Sequence, residues 1–329
     1  MSEGKFIVKS KDVTDPNHGC APEERSIEVY LSRGVVNLDK PSGPTSHEVD
    51  HWVKEIFGIS KVGHGGTLDP KVTGILPILL GDATKAARVF SSAPKEYVCL
   101  MKVHADLPPN VINDICYQFV GKIYQRPPLK SAVKRRIRIR EIYYLNVLEI
   151  KRKDVLMIVG CEAGTYIRKL ISDIGEVLGC GAHMAQLRRT LSGPFREDET
   201  LVTLQDLKDA YHFLKEDGDE SFLRSAVLPM EMGLSHLPKI FIRDSAVDAI
   251  CHGASLMVPG VSILDEAINA RDLVAVFTLK GEAVSIGTAK MNSKEMMGAR
   301  KGIAVATERV FMKEGTYPKR WRSPQTSST

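Results

Sequence analysis

Gly63-His64-Gly65-Gly66-Thr67-Leu68-Asp69-Pro70 sets an acidic side chain in a glycine-rich turn and follows it at once with proline. Three glycines in four positions free the backbone for positive φ or for close approach of a neighbour. Pro70 fixes its own φ and pushes Asp69 out of the helical region. The stretch predicts a carboxylate on a stiff, exposed loop with little bulk around it, the kind of segment on which scaffolds carry chemistry. Spacing alone leaves a second reading open, in which the loop is an ordinary turn and Asp69 caps a helix that follows.

The 329-residue chain around this loop is longer than one typical domain, which predicts two. With 43% hydrophobic residues it can bury a sizeable core, and a formal charge of +5 permits an anionic partner without demanding one. Its six cysteines (Cys20, Cys99, Cys116, Cys161, Cys180, Cys251) are scattered, with no CxxC pair, and are expected to be reduced thiols, not a zinc site. The first residues lack an apolar segment of signal-peptide length, and no run approaches a membrane span. A cytoplasmic protein with no membrane partner is expected.

Residues 1–31 are polar and turn-rich and form an expected N-terminal arm, placed against the C-terminal module because an arm this long needs a partner. A compact region follows over 32–233. It begins with a strand at Gly34-Val35-Val36-Asn37-Leu38 and a helix start at Thr45-Ser46, where Ser46 is the expected cap. Tyr97 to His104 alternates as a strand, and Val147-Leu148-Glu149-Ile150 with Val155-Leu156-Met157-Ile158-Val159 forms a hairpin. Ile167 to Leu178 is an amphipathic helix. Strands and helices mix without a regular βαβα rhythm, which predicts an α+β fold. From 234 to 313 short strand-like runs broken by Gly, Pro and Asp predict a mostly β module, with helices only at Asp244 to Cys251 and Ser293 to Ala299. Residues 314–329 form a polar tail.

Three further constellations bear on chemistry. Arg168, in Gly164-Thr165-Tyr166-Ile167-Arg168, lies in the first turn of a helix, where a cation opposes the macrodipole; a carboxylate partner explains it better than helix stability. Arg126, Lys130, Lys134, Arg135, Arg136, Arg138 and Arg140 form a basic run with no acid between Lys130 and Arg140, suited either to solvent or to phosphate. Lys95-Glu96-Tyr97 places a tyrosine at a strand start, ordinarily a core or interface position. His64 has no second histidine at metal-ligand spacing, and no metal or cofactor is implied.

Together, Gly63 to Pro70, Lys95-Glu96-Tyr97, Gly164 to Arg168 and Ala182-His183-Met184-Ala185-Gln186-Leu187-Arg188-Arg189 resemble, in that order, the motifs of TruB-type pseudouridine synthases. Asn37-Leu38-Asp39-Lys40-Pro41-Ser42-Gly43-Pro44-Thr45-Ser46, Gln125-Arg126-Pro127-Pro128 and the C-terminal module are similar to the archaeal, dyskerin-type branch. Departures are small: Ala105 stands for the more usual glycine in His104-Ala105-Asp106, and Lys85 for arginine in Ala83-Thr84-Lys85.

The resemblance implies a mixed, mainly antiparallel sheet with flanking helices, followed by a small β-barrel PUA domain over 234–313. It implies that Asp69 is the nucleophilic aspartate, Arg168 its ion-pair partner and Tyr97 the aromatic that stacks on the target uracil. Leu187 would line the base pocket, Lys95 would contact substrate, and His64 would touch the RNA where the base is extruded. Residues 126–139 would be the thumb that folds over the substrate strand, and His252, Gly253 and Ala254 would contact RNA from the PUA domain. The implied function is RNA pseudouridylation of rRNA and tRNA as catalytic subunit of an H/ACA particle. Its implied partners are a guide RNA, Nop-type and Gar-type accessory proteins and a kink-turn-binding ribosomal-type protein. A stand-alone enzyme acting on the TΨC loop of tRNA is the alternative within the same chemistry, and a non-catalytic RNA-binding scaffold the alternative outside it.

Overall fold

The computed structural model describes residues 5–127 and 136–319, so most of the expected thumb, including Lys130, Lys134 and Arg135, lies outside the described residues. Contacts divide the chain into two units, neither continuous in sequence: Val36–Leu79 with Ala87–Leu228, and Met1–Val35 with Leu80–Ala86 and Pro229–Thr329.

The first unit is built on an 11-stranded sheet among the described residues. Its principal strands are β1 (Gly34–Lys40), β2 (Thr73–Leu80), β3 (Lys95–Val103), β4 (Gly121–Gln125), β5 (Arg138–Lys151), β6 (Asp154–Cys161) and β7 (Ala182–Ser192). They lie in the order β1-β2-β7-β3-β6-β5-β4. β2 and β7 pair parallel, whereas β7, β3, β6, β5 and β4 pair antiparallel. The mixed pattern is the α+β class that the sequence predicts.

Strand β3 buries Lys95, Tyr97, Cys99, Met101 and Val103 on one face, the two-residue period of a half-covered strand. The β5–β6 hairpin closes on the pair Lys151↔Asp154, with Arg152 at φ 55° in the turn. It extends well beyond the expected segments, and Tyr144 lays its ring against the bare backbone of Gly160 opposite.

Helix α1 (Ser46–Phe57) turns Val49, Val53 and Phe57 to the core. Its cap is Thr45, in a full capping box with Glu48, and not Ser46 as expected. Ser46 is spent elsewhere, as described below. Helix α2 (Ile167–Val177) buries Ile167, Leu170, Ile171 and Ile174, a spacing of one helical face, which leaves Arg168 turned outward beside that face.

The second unit carries a 7-stranded sheet among the described residues. Strands β8 (Lys239–Ile242), β9 (Val261–Asp265), β10 (Leu273–Thr278), β11 (Ala283–Ala289) and β12 (Ile303–Val310) enclose a core that includes Ile240, Val274, Val276, Val284 and Val305. The N-terminal strand Phe6–Val8 completes this sheet by pairing antiparallel with β9, Ile7 opposite Leu264. Farther along, Lys280 Nζ donates to the carbonyls of Asp15, Pro16, His18 and Gly19 at 2.6–3.4 Å. Phe6–Val8 is thus held by backbone pairing, and the segment from Asp15 to Gly19 by one lysine. The six cysteines are free thiols. No helix among the described residues is long and apolar enough to cross a membrane.

Arg25 and Glu231 form a two-point ion pair in this unit, at 3.0 and 2.7 Å, with side chains only 2% and 9% exposed. Glu231 also accepts the Ala283 amide at 2.9 Å. Removing one partner of such a pair strands the other charge away from water. Glu231→Ala should lower unfolding free energy by about 3–5 kcal/mol, read from urea denaturation curves. A loss below about 1 kcal/mol would mean the pair is replaced by solvent.

Candidate active site

The Asp69 loop leaves strand Val62–His64 and enters β2, so no helix follows for Asp69 to cap, and that reading is excluded. The backbone turns at Asp69, whose carbonyl accepts the Val72 amide at 3.0 Å. Three side chains fix the loop from beneath. Lys40, fully buried, donates to the carbonyls of Pro41, Pro70 and Val72 at 2.8–3.0 Å. Ser46 Oγ accepts the Leu68 amide at 2.9 Å and donates to the Leu68 carbonyl at 3.1 Å. Arg189, 1% exposed, donates through Nε to the Ile75 carbonyl at 2.7 Å and through Nη2 to the Gly66 carbonyl at 2.9 Å.

The glycines earn their places locally. A Cβ on Gly65 would sit 2.5 Å from Phe90 Cβ. Gly66 holds φ 135°, a left-handed conformation disfavoured for side-chain-bearing residues.

With its backbone held below, Asp69 projects outward and meets Arg168, whose Nη2 donates to Asp69 Oδ2. The two side chains are 57% and 59% exposed, so the ion pair faces solvent. Arg168 is delivered by the start of α2, which Gln125 fixes by a two-way clamp. Its Nε2 donates to the Tyr166 carbonyl at 3.1 Å, and its Oε1 accepts the Tyr166 amide at 2.9 Å. The carboxylate partner expected for Arg168 is Asp69, across 99 residues of chain.

Tyr97 lies opposite Arg189 in the β3–β7 register and is 9% exposed. Burial pushes its phenol above the usual range, against the pull of the facing Arg189 guanidinium. The hydroxyl is therefore neutral at physiological pH, which suits contact with a base and not proton abstraction as phenolate. Leu187, opposite Cys99 and two positions from Arg189 on β7, is half-buried on the same strand face.

Lys95, expected to contact substrate, is instead 5% exposed and spent on backbone, with Nζ donating to the carbonyls of Phe90 and Ala93 at 2.9 and 2.7 Å. Burial, then the nearby Arg189 charge, pulls its ammonium down to about 7.

His64 is inside the loop's support. Its Nδ1 is 2.7 Å from Asp50 Oδ2 and its Nε2 is 3.0 Å from Thr67 Oγ1. Of the basic run, Arg126 and Arg136 are exposed and Arg138 half-buried. Arg140 is neutralised by Glu162 at 3.2 Å, so the face is less uniformly cationic than the sequence suggests. His252, Gly253 and Ala254 lie in the second unit, exposed at the end of helix Asp244–Cys251, with His252 Nε2 3.2 Å from Glu314.

The sequence sets Lys40, Ser46, Gln125 and Arg189 within quoted motifs but assigns none of them to the support of the Asp69 loop or of Arg168. Their side chains act on main-chain groups distant in sequence, which no spacing rule registers.

The ordinary Lys95 value of 10.5 falls to about 7 in the fold. Between those two pH values the unfolded chain holds a proton that the folded chain has released, so this residue makes stability rise with pH across the window. Lys95→Met buries no charge and should lose the rise. Urea unfolding of both proteins at pH 6.5 and 9.5 should show wild type gaining on the variant by about 3 kcal/mol at the higher pH. A flat difference would mean that Lys95 stays charged on its two carbonyls.

Comparisons with known proteins identify the family. Residues 54–110 match the TruB family pseudouridylate synthase N-terminal domain, and 168–235 match the tRNA pseudouridylate synthase B C-terminal domain. A PUA domain matches 238–311 and a DKCLD (NUC011) domain 2–50. A protein named probable tRNA pseudouridine synthase B from Methanopyrus kandleri is 61% identical over 317 residues, 96% of this chain and 94% of that protein. One of the same name from Pyrococcus horikoshii is 59% identical over 318 residues, 96% of this chain and 95% of that protein. Among solved structures, a Cbf5-Nop10-Gar1 complex contains a chain 55% identical at a TM-score of 0.92, covering 96% of this chain and 97% of that one. An H/ACA RNP bound to a substrate RNA containing 2'-deoxyuridine contains one 52% identical at 0.91, covering 97% and 98%.

Proposed function

The chain belongs to the TruB family of pseudouridine synthases, isomerases of uridine in RNA, and we propose that it is the catalytic subunit of an H/ACA guide ribonucleoprotein that modifies rRNA and tRNA. The single observation that carries this reading is the solvent-facing Asp69–Arg168 pair on a rigid loop, in a chain that matches the Cbf5 subunit of such complexes along nearly its whole length.

Pseudouridylation breaks the bond from uracil N1 to ribose, turns the base and rejoins it through C5. No electrons are gained or lost. A lone ionised carboxylate suits this work, either as a nucleophile or by assisting departure of the base. Covering the site with a flipped uridine removes water from Asp69, which by itself favours the protonated acid; the Arg168 guanidinium offsets that by favouring the carboxylate. The same loss of water strengthens their attraction.

Flipping costs a few kcal/mol of unstacking, offset by packing on Tyr97 and by phosphate contacts from Arg126, Arg136 and the remaining thumb residues. Leu187 would line the base pocket, and His64 would meet the RNA beside the flipped nucleotide. The PUA domain, with His252, Gly253 and Ala254, gives a second grip suited to the shape-based recognition of RNA. Guide RNA, Nop10-type and Gar1-type proteins and a kink-turn-binding protein complete the particle.

The names of the curated relatives favour a second reading, a tRNA enzyme acting without a guide. Reconstitution separates the two. Purified protein is assayed on tRNA alone, and on a guided target with guide RNA and accessory proteins; activity that depends on the guide supports the proposal, and full activity on tRNA with none gained from a guide overturns it.

Asp69→Asn should abolish turnover, by about 10⁴-fold or more in single-turnover assays, with RNA affinity within a few-fold of wild type. Arg168→Met should cost about 10²–10³-fold in the same rate while unfolding at the wild-type urea concentration, because an exposed pair contributes little to stability. Retained modification in Asp69→Asn would remove Asp69 from the chemistry, whereas no modification by the wild type either would return the protein to the class of RNA-binding scaffolds.

A further inference from the structure

We propose that His47, Asp50 and His64 form a binding site for a divalent transition-metal ion of the zinc class. His47 and Asp50 lie one turn apart on α1, and His64 ends the strand Val62–His64 that runs beside that helix. One donor atom from each lies within 4.8 Å of the others. The sequence conceals this grouping: His47 and His64 stand 17 positions apart, outside every familiar ligand spacing.

The distances suit an ion. Donors held at about 2.1 Å by one tetrahedral zinc lie about 3.4 Å apart. Asp50 Oδ2 is 2.7 Å from His64 Nδ1 and 3.7 Å from His47 Nδ1, values that bracket that separation. Two imidazoles and a carboxylate are the donor set of the borderline metals, and not of Mg²⁺ or Ca²⁺, which take oxygen.

The carboxylate also calls for a cation. Asp50 is 13% exposed and faces only the two histidines as ion-pair partners among the described residues. Its Oδ1 is buried with no hydrogen-bond partner. A buried carboxylate oxygen without a donor costs free energy, which an ion held by both carboxylate oxygens would relieve. His47, with its side chain 83% exposed, leaves the site open to solvent on one side, so an ion can enter without unfolding the helix.

The site touches the reactive loop. With a metal on Nδ1, His64 must carry its proton on Nε2, which then donates to Thr67 Oγ1, two residues before Asp69. Occupancy would fix one tautomer of His64 and tether the loop to α1. The inference is independent of the guide-RNA reading.

The test is a Co²⁺ titration of the full-length, EDTA-treated protein, read by visible d–d absorption and reversed with Zn²⁺. Wild type should take one Co²⁺ with bands of a three- to five-coordinate site and lose them to one equivalent of Zn²⁺. His47→Ala and Asp50→Asn, with wild-type circular dichroism, should each bind at least about tenfold more weakly. His183→Ala, which breaks the separate His104–His183 contact at 2.9 Å, should bind as wild type. Zn²⁺ should raise the Tm of wild type and not that of Asp50→Asn. Binding unchanged in both His47→Ala and Asp50→Asn, binding lost only in His183→Ala, or no d–d bands in wild type would each overturn the site.

Discussion

Everything at this site depends on a loop whose main chain is held at several points from beneath. Carbonyls on both sides of Asp69 are taken by buried donors, Lys40 on Pro70 and Val72 and Arg189 on Gly66, while Ser46 holds Leu68 through both its amide and its carbonyl. Burial pushes both of these cations down from their usual values, so each carries a desolvation cost. That cost is sensible only if position matters more than stability. The two positive side chains also lie under a loop that displays a carboxylate, and Lys40 and Asp69 feel each other's charge. The acid is thus steadied by Arg168 at its tip and by a buried ammonium behind its backbone.

The ion pair at the tip has the opposite character. More than half exposed on both sides, it is screened by water and salt and contributes little to holding the protein together. Exclusion of water would strengthen it. On the proposed reading, the free protein holds a weak contact that a flipped base would make strong.

Much of this was legible in the sequence because glycine, proline and charge speak locally. Gly63 to Pro70 announced a stiff loop with an exposed acid, and Arg168 at the wrong end of a helix announced a distant carboxylate. The alternation of Tyr97 to His104 predicts the strand observed over Lys95–Val103, and the amphipathic pattern of Ile167 to Leu178 predicts the helix observed over Ile167–Val177. Lys95 shows where such reasoning stops. A lysine beside a tyrosine in a motif looks like a substrate contact, but its four-carbon stem reaches the end of the helix Ala87–Ser92 and it serves the backbone there. Arg189, Gln125 and the His47–Asp50–His64 group were hidden for the same reason: each acts across a tertiary gap that only the folded sheet closes. Ser46 was displaced from its expected role by one position, since Thr45 offers the same hydroxyl with a better reach to Glu48.

The strand Phe6–Val8 adds a consequence of a different kind. It sits on the outer edge of a sheet whose other members lie beyond residue 238, so this stretch finds its backbone partners only after more than 250 further residues have been added. Until then that stretch must wait unpaired, and β9 would present a raw hydrogen-bonding edge without it. Closing this sheet is a long-range step, and pairing over such a separation is slow by topology.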